Sequence, residues 1–176
     1  MKHLILITWE SASWKTTLWK YLEDKWIKSL YNYTTRTPRN NEEKDNYIFL
    51  TKEQYLHRYK IWTFIETFIF NDNYYAIWKY TPKSDNNIFY AIVSNHWREQ
   101  LRQYCINNKI TVTEVFIHID KEVKEQRLRE RFWNEEQLIQ ERLNEKWFSP
   151  TENSLVINWE YSVEEQFNII IWENEF

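Results

Sequence analysis

The stretch Leu4-Ile5-Leu6-Ile7-Thr8-Trp9-Glu10-Ser11-Ala12-Ser13-Trp14-Lys15-Thr16-Thr17 decides how this chain is read. Residues 9–16 have the spacing of the phosphate-binding loop G-x-x-x-x-G-K-[ST], with tryptophan at both glycine positions. The apolar run ahead of them reads as a strand and the residues behind them as a helix, which is the setting that motif requires. The substitution is severe. The first glycine takes a backbone shape that side chains resist, and both let main-chain N–H groups close on a phosphate. An indole at Trp14, beside Lys15, occupies space that the phosphate needs.

The rest of the chain suggests why tryptophan stands there. It has no glycine, although average usage of about 7% gives roughly 12 in this length, and it has eleven tryptophans. Trp26 follows Asp24-Lys25, and Trp147 follows Glu145-Lys146 with Pro150 shortly after; both are places where a glycine cap closes a helix. Trp159 lies in Asn158-Trp159-Glu160, between a strand-like run and a helix start, where Asn-Gly makes a natural turn. Trp62 and Trp97 also fall at segment junctions. The tryptophans therefore read as standing where a parent sequence has glycine. A UGA codon translated as Trp but read as Gly by the host produces this pattern, and so does deliberate replacement.

At 176 residues the expectation is a single domain. A net charge of −3 gives no basic footprint for nucleic acid. The apolar runs are far too short to span a membrane, and four apolar residues after Met1-Lys2-His3 are too few for a secretory signal. A lone cysteine, Cys105, rules out an internal disulfide and fits a reducing cytosol, so a cytoplasmic protein is expected. Oligomeric state is not legible. Strands are expected at 3–8, 30–33, 48–50, 88–93, 113–119 and 155–157, with a β-rich run at 63–70. Helices are expected at 16–24, 51–60, 97–107, 121–131, 134–146 and 163–171. Capping boxes at Thr51/Gln54 and Ser162/Glu165 open two of them. Apolar strands alternating with amphipathic helices predict a parallel sheet covered on both faces. The block 47–80 departs from that rhythm and reads as an inserted lobe.

Several residues carry chemistry. In such a loop Lys15 reaches the outer phosphates and the Thr16 hydroxyl ligates Mg²⁺. Thr34-Thr35-Arg36-Thr37-Pro38-Arg39 supplies two arginines three apart, a candidate monophosphate clamp, because guanidinium forks pair bidentately with phosphate oxygens. Here the chain resembles the guanylate kinase family, which places a Thr-Thr-Arg-x-Pro-Arg segment after the second strand, followed by a Tyr-x-Phe strand like Tyr47-Ile48-Phe49. The resemblance continues through Phe64-Ile65-Glu66 and Asn73-Tyr74-Tyr75, then Arg127, Arg131 and Arg142 at the offsets of the family's lid arginines, then Val156-Ile157-Asn158. The similarities cover nearly the whole chain, in order.

The resemblance implies an α/β fold: a P-loop three-layer architecture with a central parallel sheet, an inserted NMP-binding lobe and a short helical lid. It implies a core at 1–33, 81–125 and 148–176, a lobe at about 34–80 and a lid at about 126–147. It also implies an ATP- and Mg²⁺-dependent kinase converting GMP or dGMP to the diphosphate. Trp9, Glu10, Ser11, Ala12, Ser13, Trp14, Lys15, Thr16 and Thr17 would surround the ATP phosphates, with Thr16 on the metal. Asn32, Arg36, Arg39, Tyr47, Glu66, Tyr75 and Ser94 would hold the acceptor, Glu66 accepting from guanine N1–H and the exocyclic amine. Lys15, Arg131 and Arg142 would stabilise charge in transfer, while Arg127 reads as a surface arginine beside Glu130. Three departures stand out. Asn32 and Tyr33 flank the place of the family's Ser, Ser94 stands where an acid is expected, and Ile77 replaces a small hydroxyl residue. They leave open a related kinase with another phosphorylated acceptor, or an interaction module that has lost catalysis.

Overall fold

In the computed structural model the described residues are 2–10, 12–13, 15–30, 32–38, 47–61, 63–70, 72–78, 87–145 and 149–172. The chain opens with β1 (His3–Trp9), α1 (Lys15–Asp24), β2 (Lys28–Ser29), β3 (Asn32–Thr34) and β4 (Ile48–Phe49). Then come α2 (Lys52–Lys60), β5 (Phe64–Phe70), β6 (Asn73–Trp78), β7 (Ile88–Ile92) and α3 (Asn95–Asn107). It ends with β8 (Thr111–His118), α4 (Lys121–Arg131), α5 (Glu136–Leu143), β9 (Leu155–Asn158) and α6 (Val163–Trp172).

Strand β1 is buried along its first six residues because both of its faces are covered. Ile5 and Ile7 pack with Leu18 and Leu22 of α1 and Ile170 of α6. Leu4 and Leu6 face the other way, toward Leu101 and Cys105 of α3. Continuous burial of this kind belongs to a parallel sheet between helix layers. The sheet has the order β2-β7-β1-β8-β9, with every pairing parallel. The architecture is therefore a three-layer α/β fold with a central parallel sheet. A second sheet, β4-β3-β6-β5, pairs β6 antiparallel with both β3 and β5 and β3 parallel with β4.

The single strand expected at 30–33 is divided between these sheets. Lys28 and Ser29 pair with β7 in the central sheet, while Asn32 to Thr34 pair with β6 in the second. Leu30, buried and bonded through its N–H to the Tyr90 carbonyl (2.8 Å), is still held by the central sheet. Both capping boxes form, at Thr51/Gln54 and Ser162/Glu165.

The tryptophans fall into several environments. Trp26 closes α1 with φ of 64°, its N–H on the Glu23 carbonyl (2.9 Å) and the Ile27 N–H on the Leu22 carbonyl (3.0 Å). That pair of bonds is the helix-ending motif whose left-handed residue is usually glycine, and a side chain there costs about 1–2 kcal/mol. The indole is 75% exposed and Ile27 is buried against Leu22, so the cap holds by its backbone and its apolar neighbours. Trp133 and Trp172 are exposed as well. Trp19 differs, since it lies inside α1 and is buried in the core. Trp14, Trp62 and Trp147 lie outside the described residues.

Candidate functional site

Strands β1, β7, β8 and β9 all end on one edge of the central sheet, and ligands of open parallel sheets bind beyond that edge. Trp9 ends β1, and α1 begins at Lys15 and Thr16, so the strand-loop-helix order read from the sequence is present. Ala12 takes φ of 70°, and the Ser13 N–H bonds the Glu10 carbonyl (3.3 Å). Ser11 and Trp14 lie outside the described residues. The Ser13 hydroxyl is buried without a hydrogen-bond partner among the described residues. Such an atom is costly to leave unpaired and marks a place for a polar ligand atom or water.

Beside it lies a cavity of about 170 Å³, bordered by Ser13 and Thr17, by Arg127 of α4, and by Trp159, Tyr161 and Gln166 near the start of α6. Arg127 stacks on the Trp159 ring at 4.0 Å from its centroid, and its Nη1 donates to the Ala12 carbonyl (2.9 Å). Burial pulls its pKa below the usual arginine value, partly countered by Glu130. Arg127 therefore ties α4 to the loop. Arg131 is exposed, 5.2 Å from the Phe132 ring, and Arg142 pairs with Glu145 (3.4 Å). Spacing gave Arg127 as a surface residue because α4 carries acids at helical offsets; only the approach of α4 to the loop distinguishes it.

Glu10 is not part of the lining of this cavity. Its Oε2 accepts from the Ile119 N–H and from His118 Nδ1, both at 3.0 Å. Buried Lys124 lies 3.9 Å from Glu10 and 3.7 Å from Glu145, so one cation joins the loop, α4 and the segment after α5. A buried charge needs such partners to offset its lost hydration. This junction was not read from the sequence, because its members are remote in the chain.

The second sheet gathers another set. Arg36 lies 5.8 Å over the Tyr47 ring, and Tyr47 meets Tyr75 edge-on at 6.2 Å. The Thr34 hydroxyl accepts from the Arg36 N–H (3.1 Å), fixing the start of that loop. Arg39 lies outside the described residues. Asn32 of β3 and Glu66 of β5 are both in register with Ile77 of β6, so the three stand in one row across the sheet. Asn32 Oδ1 is buried with no partner among the described residues. Ser94 precedes α3 without a capping bond from its side chain. Gln100 of α3 reaches the Glu66 carboxylate from the helical layer, a contact the sequence did not disclose.

Among the described residues no group of three or more His, Cys, Asp or Glu is arranged to hold a metal, and no helix is long and apolar enough to cross a membrane. No protein-family model and no curated protein sequence matches the chain. Solved structures do. A guanylate kinase from Anaplasma phagocytophilum superposes with a TM-score of 0.59 at 18% identity, over 96% of this chain and 81% of that one. A gluconokinase from Sinorhizobium meliloti 1021 gives 0.46 at 13% identity over 96% and 89%. The chain thus has the fold of the Anaplasma kinase, a central parallel sheet between helical layers.

Proposed function

We propose that the chain is a nucleoside monophosphate kinase of guanylate kinase type, transferring the γ-phosphoryl group of ATP to GMP or dGMP. The supporting observation is the convergence of Arg36, Tyr47 and Tyr75 on a sheet separate from the phosphate loop, with Arg127 joining that loop to the lid. Two anion sites with a cationic lid suit a phosphate donor and a phosphate acceptor; an interaction module has no use for the first.

In this reading an acceptor phosphate oxygen attacks the γ-phosphorus. A new P–O bond forms, the bond to the β-phosphate oxygen breaks, and ADP leaves. No general base is needed, since the nucleophile is already anionic and catalysis is positioning and electrostatics. Arg36 and Arg39 hold the acceptor phosphate with Tyr47 and Tyr75. Lys15, Arg131 and Arg142 stabilise the charge in transfer, and Arg127 is the lid contact to the loop. The partnerless Ser13 hydroxyl suits a phosphate oxygen. Thr16 is the residue that would hold Mg²⁺, since the loop's acid, Glu10, is engaged elsewhere and Ser94 supplies no carboxylate. When bound, the ion neutralises the phosphates. Glu66 accepts from guanine N1–H and the amine, and Asn32 meets the O6 edge.

The same reading gives the parent protein glycine at the eleven tryptophan positions. The left-handed cap at Trp26 supports this. A peptide from the native source spanning Trp9 and Trp14 should weigh as Gly at both; Trp at either overturns it. With all eleven restored, AMP, GMP, CMP and UMP assayed side by side with ATP should single out GMP. Equal rates on AMP and GMP refute the guanine assignment, and no turnover on any of the four refutes the nucleoside monophosphate kinase and favours an interaction module or a different acceptor.

A further inference from the structure

The Glu66 carboxylate already has a donor in front of it. Gln100, with its amide nitrogen turned toward β5, donates to both Glu66 oxygens. A single nitrogen in reach of both oxygens engages the same pair of acceptors that a ligand with two adjacent N–H groups would need. Its position is set by packing. Trp97, three residues before it on α3, meets Phe68 of β5 edge-on at 5.8 Å, which brings the same helical face against the strand. The row formed by Asn32, Ile77 and Glu66 lies on adjoining strands of the same sheet.

We propose that Gln100 is a specificity-determining residue, its amide standing in for the acceptor's base edge on Glu66 until the base exchanges with it. The inference rests on the reading of Glu66 as the base reader. An edge with two N–H donors replaces the amide's hydrogen bonds one for one, and Gln100 swings aside. Adenine offers an acceptor at N1, where the carboxylate needs a donor, so it cannot take Gln100's place without leaving Glu66 unpaired. The device selects by requiring a ligand to match what it displaces.

The test is calorimetric titration of the full chain, as printed, with GMP and with ribose 5-phosphate, which engages only the phosphate clamp. Gln100→Ala and Gln100→Leu should each tighten GMP about three- to tenfold, the reach of one hydrogen bond, and leave ribose 5-phosphate unchanged. Using two replacements of different size keeps a packing defect in one from deciding the matter. Unchanged or weaker GMP binding in both overturns the exchange. If in that case wild-type GMP still binds more tightly than ribose 5-phosphate, by a margin that Glu66→Gln removes, the guanine reading survives alone. GMP binding no tighter than ribose 5-phosphate, and indifferent to Glu66→Gln, overturns both.

Discussion

On the proposed reading, the loop at residues 9–16 would bind through its main chain and the second sheet through its side chains. A phosphate loop grips with successive N–H groups that must close on the anion, so any bulk at its glycine positions falls where the ligand belongs. The row of Asn32, Ile77 and Glu66 has side chains at set register positions on paired strands, and the cluster of Arg36, Tyr47 and Tyr75 is likewise made of side chains. No tryptophan is among those six residues. The contrast teaches that one substitution, tryptophan for glycine, acts unequally on two sites in the same fold. On that reading it obstructs the site made of backbone and spares the one made of side chains.

The largest effect should be on the donor. The printed chain titrated with ATP and Mg²⁺ should bind at least a hundredfold more weakly than the chain with glycine at all eleven positions. Each charged hydrogen bond lost from the loop costs about 1.5–3 kcal/mol, and more than one is lost. Glycine at positions 9 and 14 alone should recover only part of this, because Trp159 remains against Arg127 in the cavity wall. Equal affinities for ATP would erase the comparison.

Next in size is the acceptor clamp, expected to work in the printed chain. Arg36→Ala should weaken GMP and ribose 5-phosphate alike by about ten- to a hundredfold, from the loss of a charge-assisted contact. ATP binding by the glycine-restored chain should not change. A loss confined to GMP would move Arg36 from the phosphate to the base.

Trp26→Gly should touch neither site and still stabilise the fold by about 1 kcal/mol, seen as a higher urea midpoint at unchanged slope. Relief of the left-handed strain is worth about 1–2 kcal/mol, and glycine's freer unfolded chain takes part of that back. Lower stability would mean that the Lys28 ammonium, 5.6 Å from the indole centroid, matters more than the strain.

The smallest expected effect comes from the opposite end of the sheet. His3 is buried between the Thr111 and Thr113 hydroxyls, at 2.7 and 3.0 Å, and burial lowers its pKa below the ordinary 6.5. The unfolded chain takes up the proton first as pH falls through 6.5, so its contribution is complete above that value and declines below it. Against His3→Gln, the wild type should lose less than about 1.4 kcal/mol per pH unit below 6.5 by denaturant unfolding. Because His3 opens β1 and the loop follows the far end of that strand, ligand affinities should fall together or not at all. A selective loss would tie that end of the sheet to one site.

Much of this was legible in one dimension. Residues 4–7 are apolar without alternation because both faces of β1 are covered, and that requires helices on each side. Capping boxes are local chemistry, so Thr51 and Ser162 marked two helix starts correctly. The absence of glycine and the αL turn at Trp26 are likewise local facts, one of composition and one of helix ending. Tertiary structure alone decided the rest. It divided the strand after Leu30, because which sheet a strand joins depends on distant neighbours such as Tyr90. It brought Arg127 to the loop, turned Glu10 toward Lys124 and His118, and set Gln100 against Glu66. Each of those contacts joins residues tens of positions apart or more. Spacing along the chain reports periodicity and caps, but it does not tell which surfaces the packing will press together.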